Sequence, residues 1–270
     1  MSEAHESLWL GRLRKPVRIL MVASIVATAI LVLWVILGRM FFGTNIGMKQ
    51  FLSPAETPIV MLTMLVASAT LLIASVYLSD SRGTIEVQPS GFFDIVSLIF
   101  SRFTMIGISI LVFVMFYEVV SRYLFKKPTL WANELSLWIA AFLFLFAGLY
   151  AMQQRSHIRI YVIYDLLPRW MQKLADVISL GLIWTFAFLL IWGGYNEALS
   201  KFMRWETFGT AWDPPLPATI KPAILIIIAM VAIQALSNLI ADWNKRPEHH
   251  TAIADIDETE IESIRKSIKD

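Results

Sequence analysis

The sequence predicts an all-α fold: a polytopic transmembrane helical bundle with about six spanning helices and short interfacial helices. Two observations carry this expectation. Six stretches are long, apolar and almost free of charge: Ile19–Leu37, Thr57–Ser79, Phe103–Tyr117, Leu135–Gln154, Val177–Asn196 and Pro222–Ala241. Most hold about twenty residues, enough at 1.5 Å per residue to cross roughly 30 Å of hydrocarbon. Composition agrees, because 57% of residues are hydrophobic and mean hydropathy is +0.63, more than a soluble domain carries. Transmembrane strands would instead show alternating segments of about ten residues.

Taken in order, the first stretch follows Arg12, Arg14, Lys15 and Arg18, continues past the small residues Ala23, Ser24, Ala27 and Ala29 to Leu37 and ends without an A-x-A site, which favours an uncleaved anchor over a signal peptide. The second contains Ser68, Thr70 and Ser75, residue types that pack or hydrogen-bond between helices. The third has a short uncharged centre, yet apolar residues continue past Arg102 and past Glu118, so a long, tilted helix is expected, with Arg102 snorkelling to the interface. Glu118 and Arg122 are four apart with the acid first, the favourable order for a same-face pair. Glu118 admits two readings, a packing ion pair or a proton or ion relay.

Between the third and fourth stretches runs Arg122-Tyr123-Leu124-Phe125-Lys126-Lys127-Pro128-Thr129-Leu130-Trp131-Ala132-Asn133-Glu134-Leu135. Pro128 stops one helix, Tyr123 and Trp131 suit the headgroup level, and Asn133 with Glu134 places a cap and a negative charge at the next helix start. This turn is expected to bring Glu118, Arg122 and Glu134 to one depth, with Arg122 serving both carboxylates. The fourth stretch is followed by an amphipathic surface segment, His157 to Trp170. The loop from Glu197 to Lys221 holds Phe202, Trp205, Phe208 and Trp212, then Pro214, Pro215 and Pro217. It reads either as a belt of interfacial aromatics or as a docking surface. After Trp243 the chain turns polar, and either a short amphipathic helix or a mobile tail fits.

Charge placement predicts topology. Basic residues gather before the first stretch, between the fourth and fifth (Arg155, Arg159, Arg169, Lys173) and after the sixth (Lys245, Arg246), so these regions and both termini are expected in the cytoplasm. The net charge of +2 points to no nucleic acid. The chain has no cysteine, and its histidines, His5, His157, His249 and His250, all lie outside the apolar stretches. No disulfide, metal cluster, cofactor site or catalytic set is therefore expected. Gly107, Gly148, Gly181 and Gly193 are candidate close-approach positions for another helix.

Arg122-Tyr123-Leu124-Phe125, Pro128, Trp131-Ala132-Asn133-Glu134-Leu135, Gly148 and His157-Ile158-Arg159-Ile160 together carry a resemblance to a family. Over roughly Gly91 to Trp243 the chain resembles the small integral-membrane (DctQ-like) permease subunit of tripartite ATP-independent periplasmic (TRAP) transporters. Trp212-Asp213-Pro214-Pro215-Leu216-Pro217 resembles one branch of that family. The family commonly has an aspartate where Tyr161 stands.

The resemblance implies a non-enzymatic subunit of the bacterial inner membrane. It would brace a large permease subunit and help dock a periplasmic substrate-binding protein for sodium-driven uptake of an organic acid or similar solute. The domains expected are an N-terminal extension with two transmembrane helices (1–90), a four-helix unit (91–244) and a polar tail (245–270). The alternative is the membrane anchor of an enzyme or redox complex. A free-standing channel would need polar residues repeating along a helical face, and none of the six stretches is read as showing one. Interaction candidates are Glu118, Arg122, Trp131, Glu134, Gly148, His157, Arg159, Trp205 and Trp212.

Overall fold

The computed structural model describes residues 7–44, 46–81, 83, 86–155, 164 and 167–244. Among the described residues, six helices are each long and apolar enough to cross a membrane. They are α1 (Arg14–Phe41), α2 (Pro58–Ser79), α3 (Phe92–Tyr123), α4 (Ala132–Gln153), α5 (Arg169–Met203) and α6 (Leu216–Asp242). Prolines sit where their missing N–H costs least: Pro58 and Pro217 lie in the first turns of α2 and α6, and Pro168 is the residue before α5. Pro222 lies inside α6, one and a half turns from its start, and removes one helical hydrogen bond there. The expected cap is corrected: α4 begins at Ala132 after Trp131, so Asn133 falls one residue inside the helix, exposed, and makes no capping bond.

The helices pack as an open row in the order α1, α2, α3, α4, α6, α5, with α3 also touching α6. Among the described residues, neither edge helix packs extensively against a second helix. No residue of α1 is buried, and α5 buries only Gln172, Ala187 and Ala198. The apolar centre lies between α3, α4 and α6, where Phe146, Leu149 and Ile227 are buried against Phe100, Phe103 and Phe142. Phe146 stacks on Phe100 at 4.6 Å and meets Phe103 edge-on at 5.6 Å, geometries aromatic pairs favour.

Hydrogen bonds register the row where apolar packing alone has little directionality. Thr70 of α2 bonds to Thr28 Oγ1 at 2.8 Å and donates to the Ser24 carbonyl of α1 at 3.0 Å, the packing role expected of it. Across α3, α4 and α6, Gln234 donates to Asp94 at 2.6 Å, Asn238 donates to the Met152 carbonyl at 2.7 Å and Ser97 donates to the Leu149 carbonyl at 3.2 Å. Gln234 and Asn238 are one turn apart on one face of α6, so the sixth stretch does carry a polar face.

Candidate interaction site

The row has two ends. The near end carries the starts of α1, α3 and α5 and the finishes of α2, α4 and α6, and the far end carries the opposite termini. At the far end, Glu118 is buried one turn before α3 stops. Its Oε1 accepts from Arg122 Nε at 2.8 Å and from Arg122 Nη2. Its Oε2 accepts from the Thr129 N–H at 3.0 Å and from the Thr129 hydroxyl. The carboxylate thus gathers four donors and pins the chain after Pro128 back onto α3. The i,i+4 pair read from the sequence is present.

Arg122 does not bridge two acids, and this corrects the expected three-way network. Glu134 is turned toward the α5–α6 loop, where its Oε2 accepts from the Asp213 N–H at 3.2 Å. The physical reason is competition: Thr129 satisfies the free side of Glu118, and a backbone N–H satisfies Glu134. Trp131, the residue before α4, stacks on Tyr117 with centroids 5.7 Å apart.

The α5–α6 loop is a strap across the far end. Trp212 donates its indole N–H to the Met48 carbonyl in the α1–α2 loop at 2.9 Å and is only 7% exposed. It is therefore an internal latch, and its reading as an exposed docking anchor is corrected. Asp213, at φ 61°, accepts from the Gly209 N–H at 2.6 Å, and that bond holds its carboxyl below the ordinary range. Lys201 beside Glu206 likewise holds the Glu206 carboxyl low. Trp205 closes α5 in a left-handed conformation, φ 48°, with its N–H on the Phe202 carbonyl and the Glu206 N–H on Lys201. This is the helix stop usually given to glycine, here filled by a half-exposed tryptophan.

Gly148 faces outward with open space where a Cβ would stand, as do Gly181 and Gly193. Gly107 is different. A Cβ there would lie 2.7 Å from Leu143 Cδ2, so its small size serves the α3–α4 contact inside this chain. His157, Arg159 and Tyr161, the greater part of the amphipathic segment, and the tail after Asn244 lie outside the described residues.

The near end holds a polar centre that reading by segments overlooked. Arg102 is buried, not snorkelling: its two terminal nitrogens donate to Glu86 at 2.8 and 2.5 Å, and Nη2 also reaches the Ser81 carbonyl at 2.9 Å. Tyr150 of α4 donates to the same carboxylate at 2.7 Å. Burial pushes the Glu86 carboxyl up, but hydrogen bonds from Arg102, the Gly83 N–H and Tyr150, together with the Arg102 charge, outweigh it and hold the group below 4.5. Alongside, Arg155, just past the end of α4, grips Asp242 of α6 through two bonds of 2.5 and 3.0 Å. Asp80, fully buried, accepts from the N–H groups of Trp9 and Leu10 and from Ser7. Loop acids outside the apolar stretches gave no periodic signal. The usable clue was an unpaired Arg102 within an apolar helix, which required an acid.

The architecture is that of a multi-pass helical membrane protein whose polar groups are engaged mainly in holding helices and loops together. The profile of the family described as tripartite ATP-independent periplasmic transporters, DctQ component, matches residues 111–245, and the chain belongs to this family of transporter components. The match starts within α3 and leaves α1 and α2 outside it. The chain is similar to the C4-dicarboxylate TRAP transporter small permease protein DctQ of Vibrio cholerae serotype O1, at 29% identity over 108 residues covering 38% of this chain and 44% of that protein. The chain thus spans under half the length of that curated relative. No solved structure matches it.

Proposed function

We propose that the chain is the bracing subunit of a TRAP-type secondary transporter. It packs in the membrane beside a larger permease subunit and helps a periplasmic substrate-binding protein dock, for sodium-driven uptake of an organic acid or similar solute. The observation that carries this reading is the open row. In a bundle closed on itself every helix would have two neighbours, whereas among the described residues α1 and α5 each pack extensively on one helix and present broad apolar faces. In lipid, association is driven by close packing and polar contacts, and the open glycines Gly148, Gly181 and Gly193 allow a second protein's helix to approach closely.

The remaining assignments follow the family. The four-helix unit, residues 91–244, performs the bracing, and α1–α2 is an addition held to it by Trp212 and by the Arg102–Glu86 pair. Both termini face the cytoplasm of a bacterial inner membrane, which puts the far end, with Trp205 and Phe208 half exposed, on the side of the binding protein. Glu118, Arg122, Trp131 and Glu134 hold the far-end framework on which those aromatics are displayed. Affinity purification of this chain from its native membrane tests the reading: a second, larger multi-pass protein is expected in stoichiometric amount. Recovery of the chain alone, in a state that supports uptake, overturns it.

A further inference from the structure

We propose that Arg12, Lys15 and Arg18 form a docking surface for anionic phospholipid headgroups on the outer edge of α1. The basic group at this corner divides in two. Arg14 turns inward, its Nε 3.3 Å from Asp80 Oδ2 and its guanidinium 6.0 Å from the centre of the Tyr77 ring. Arg12, Lys15 and Arg18 are exposed and have no acid or other acceptor among the described residues. Asp80, the carboxylate at this corner, is fully buried beneath Ser7, Trp9 and Leu10, so it cannot neutralise them from the surface.

Spacing places the three cations together. Arg12 lies in the 3₁₀ turn Gly11–Leu13, where a step of three residues closes a full turn, and Lys15 and Arg18 follow at the same step on α1. Beyond them the edge helix is bare hydrocarbon: Ile19, Leu20, Val22 and Val26 are all exposed, and no helix among the described residues covers this side. A row of cations at the mouth of the membrane, continued inward by an uncovered apolar face, complements a phosphodiester carrying acyl chains. A soluble phosphate would leave the apolar face unused, and so would an acidic peptide. The half-exposed ring of Trp9, donating to Ser79 at 3.3 Å, stands at the same level, where indoles favour the headgroup region.

The inference is independent of the transporter reading, and its test is a lipid-selectivity measurement. The full chain, with any partner that co-purifies, is placed in phosphatidylcholine vesicles containing trace spin-labelled phosphatidylglycerol or spin-labelled phosphatidylcholine. The motionally restricted fraction of each label is read by electron paramagnetic resonance. Phosphatidylglycerol should be preferred severalfold, each cation contributing at most about fivefold at low salt, and the preference should shrink as salt rises. Arg12→Gln/Lys15→Gln/Arg18→Gln should abolish most of it, while Arg12→Lys/Arg18→Lys should keep it. Equal association of the two lipids overturns the proposal, as does a preference that survives the triple substitution or does not respond to salt. If the triple variant does not fold, the salt series and the lysine variant decide: a preference that is independent of salt, or lost in the lysine variant, overturns it. Displacement of the lipid by a soluble acidic peptide, at an ionic strength where salt alone does not displace it, also overturns it.

Discussion

At Glu118 a carboxylate 2% exposed collects two donors from Arg122 and two from Thr129, whereas Glu134 holds a single backbone N–H on a different loop. Arg122→Ala therefore strands a buried anion on Thr129 alone. Because Arg122 itself is 43% exposed, the cost should fall between the ~0–1 kcal/mol of surface pairs and the ~3–5 kcal/mol of buried ones, at about 2 kcal/mol. Glu134→Gln should cost under about 1 kcal/mol. Thermal unfolding in detergent checks both, and a double-mutant cycle should find coupling between Arg122 and Glu118 and additivity between Arg122 and Glu134. At Glu86 the carboxyl is held below 4.5 in the folded chain, so its contribution is complete above that value and is lost as pH falls through the lower folded value. Melting temperature measured from pH 6 down to pH 3 should drop on the acid side, and Glu86→Gln should flatten that drop while lowering stability at neutral pH, because Arg102 is then buried without its anion.

Between elements, small residues divide by what they face. Gly107 lets α3 approach Leu143 of α4, and Gly148 opens outward from α4. Gly107→Leu should destabilise the isolated chain by about 1–3 kcal/mol through overpacking, and Leu143→Ala in the same chain should relieve part of that. Gly148→Leu should leave the melting temperature of the isolated chain unchanged while reducing recovery of the proposed permease partner. Two measurements on each variant, thermal melting and co-purification yield, separate the cases, and a loss of stability in Gly148→Leu would show that its face is already occupied within the subunit. Sequence spacing placed both glycines in spanning helices. It did not distinguish inward from outward, because α3 and α4 are apolar nearly all round.

For the whole molecule, six antiparallel crossings put the start of α1 and the finish of α6 at the same end. In the proposed topology, argued from charge bias, that end faces the cytoplasm. A reporter active only outside the cytoplasm should be silent when fused after Asp270 and active when inserted near Pro215. The reverse pattern would invert the molecule, and equal signals at both positions would mean that a helix does not cross. The open row also explains why α1 and α2, beyond the family match, are integrated with the remainder: Trp212 reaches across the far end to Met48, and Arg102 gathers the α2–α3 loop at the near end.

The sequence by itself determined the fold class, the number of crossings, the long third helix, the Glu118–Arg122 pair and the family resemblance. Those features depend on local composition and short spacing, and a run of about twenty apolar residues is sufficient to define a spanning helix in lipid. Only the tertiary structure decided which polar groups meet: Arg102 with Glu86 and Tyr150, Asp94 with Gln234, Trp212 with Met48, and Glu134 with Asp213 instead of Arg122. Each joins residues from different helices or loops. In an apolar environment a buried polar group must find a partner, but which partner is nearest depends on the order in which the helices line up.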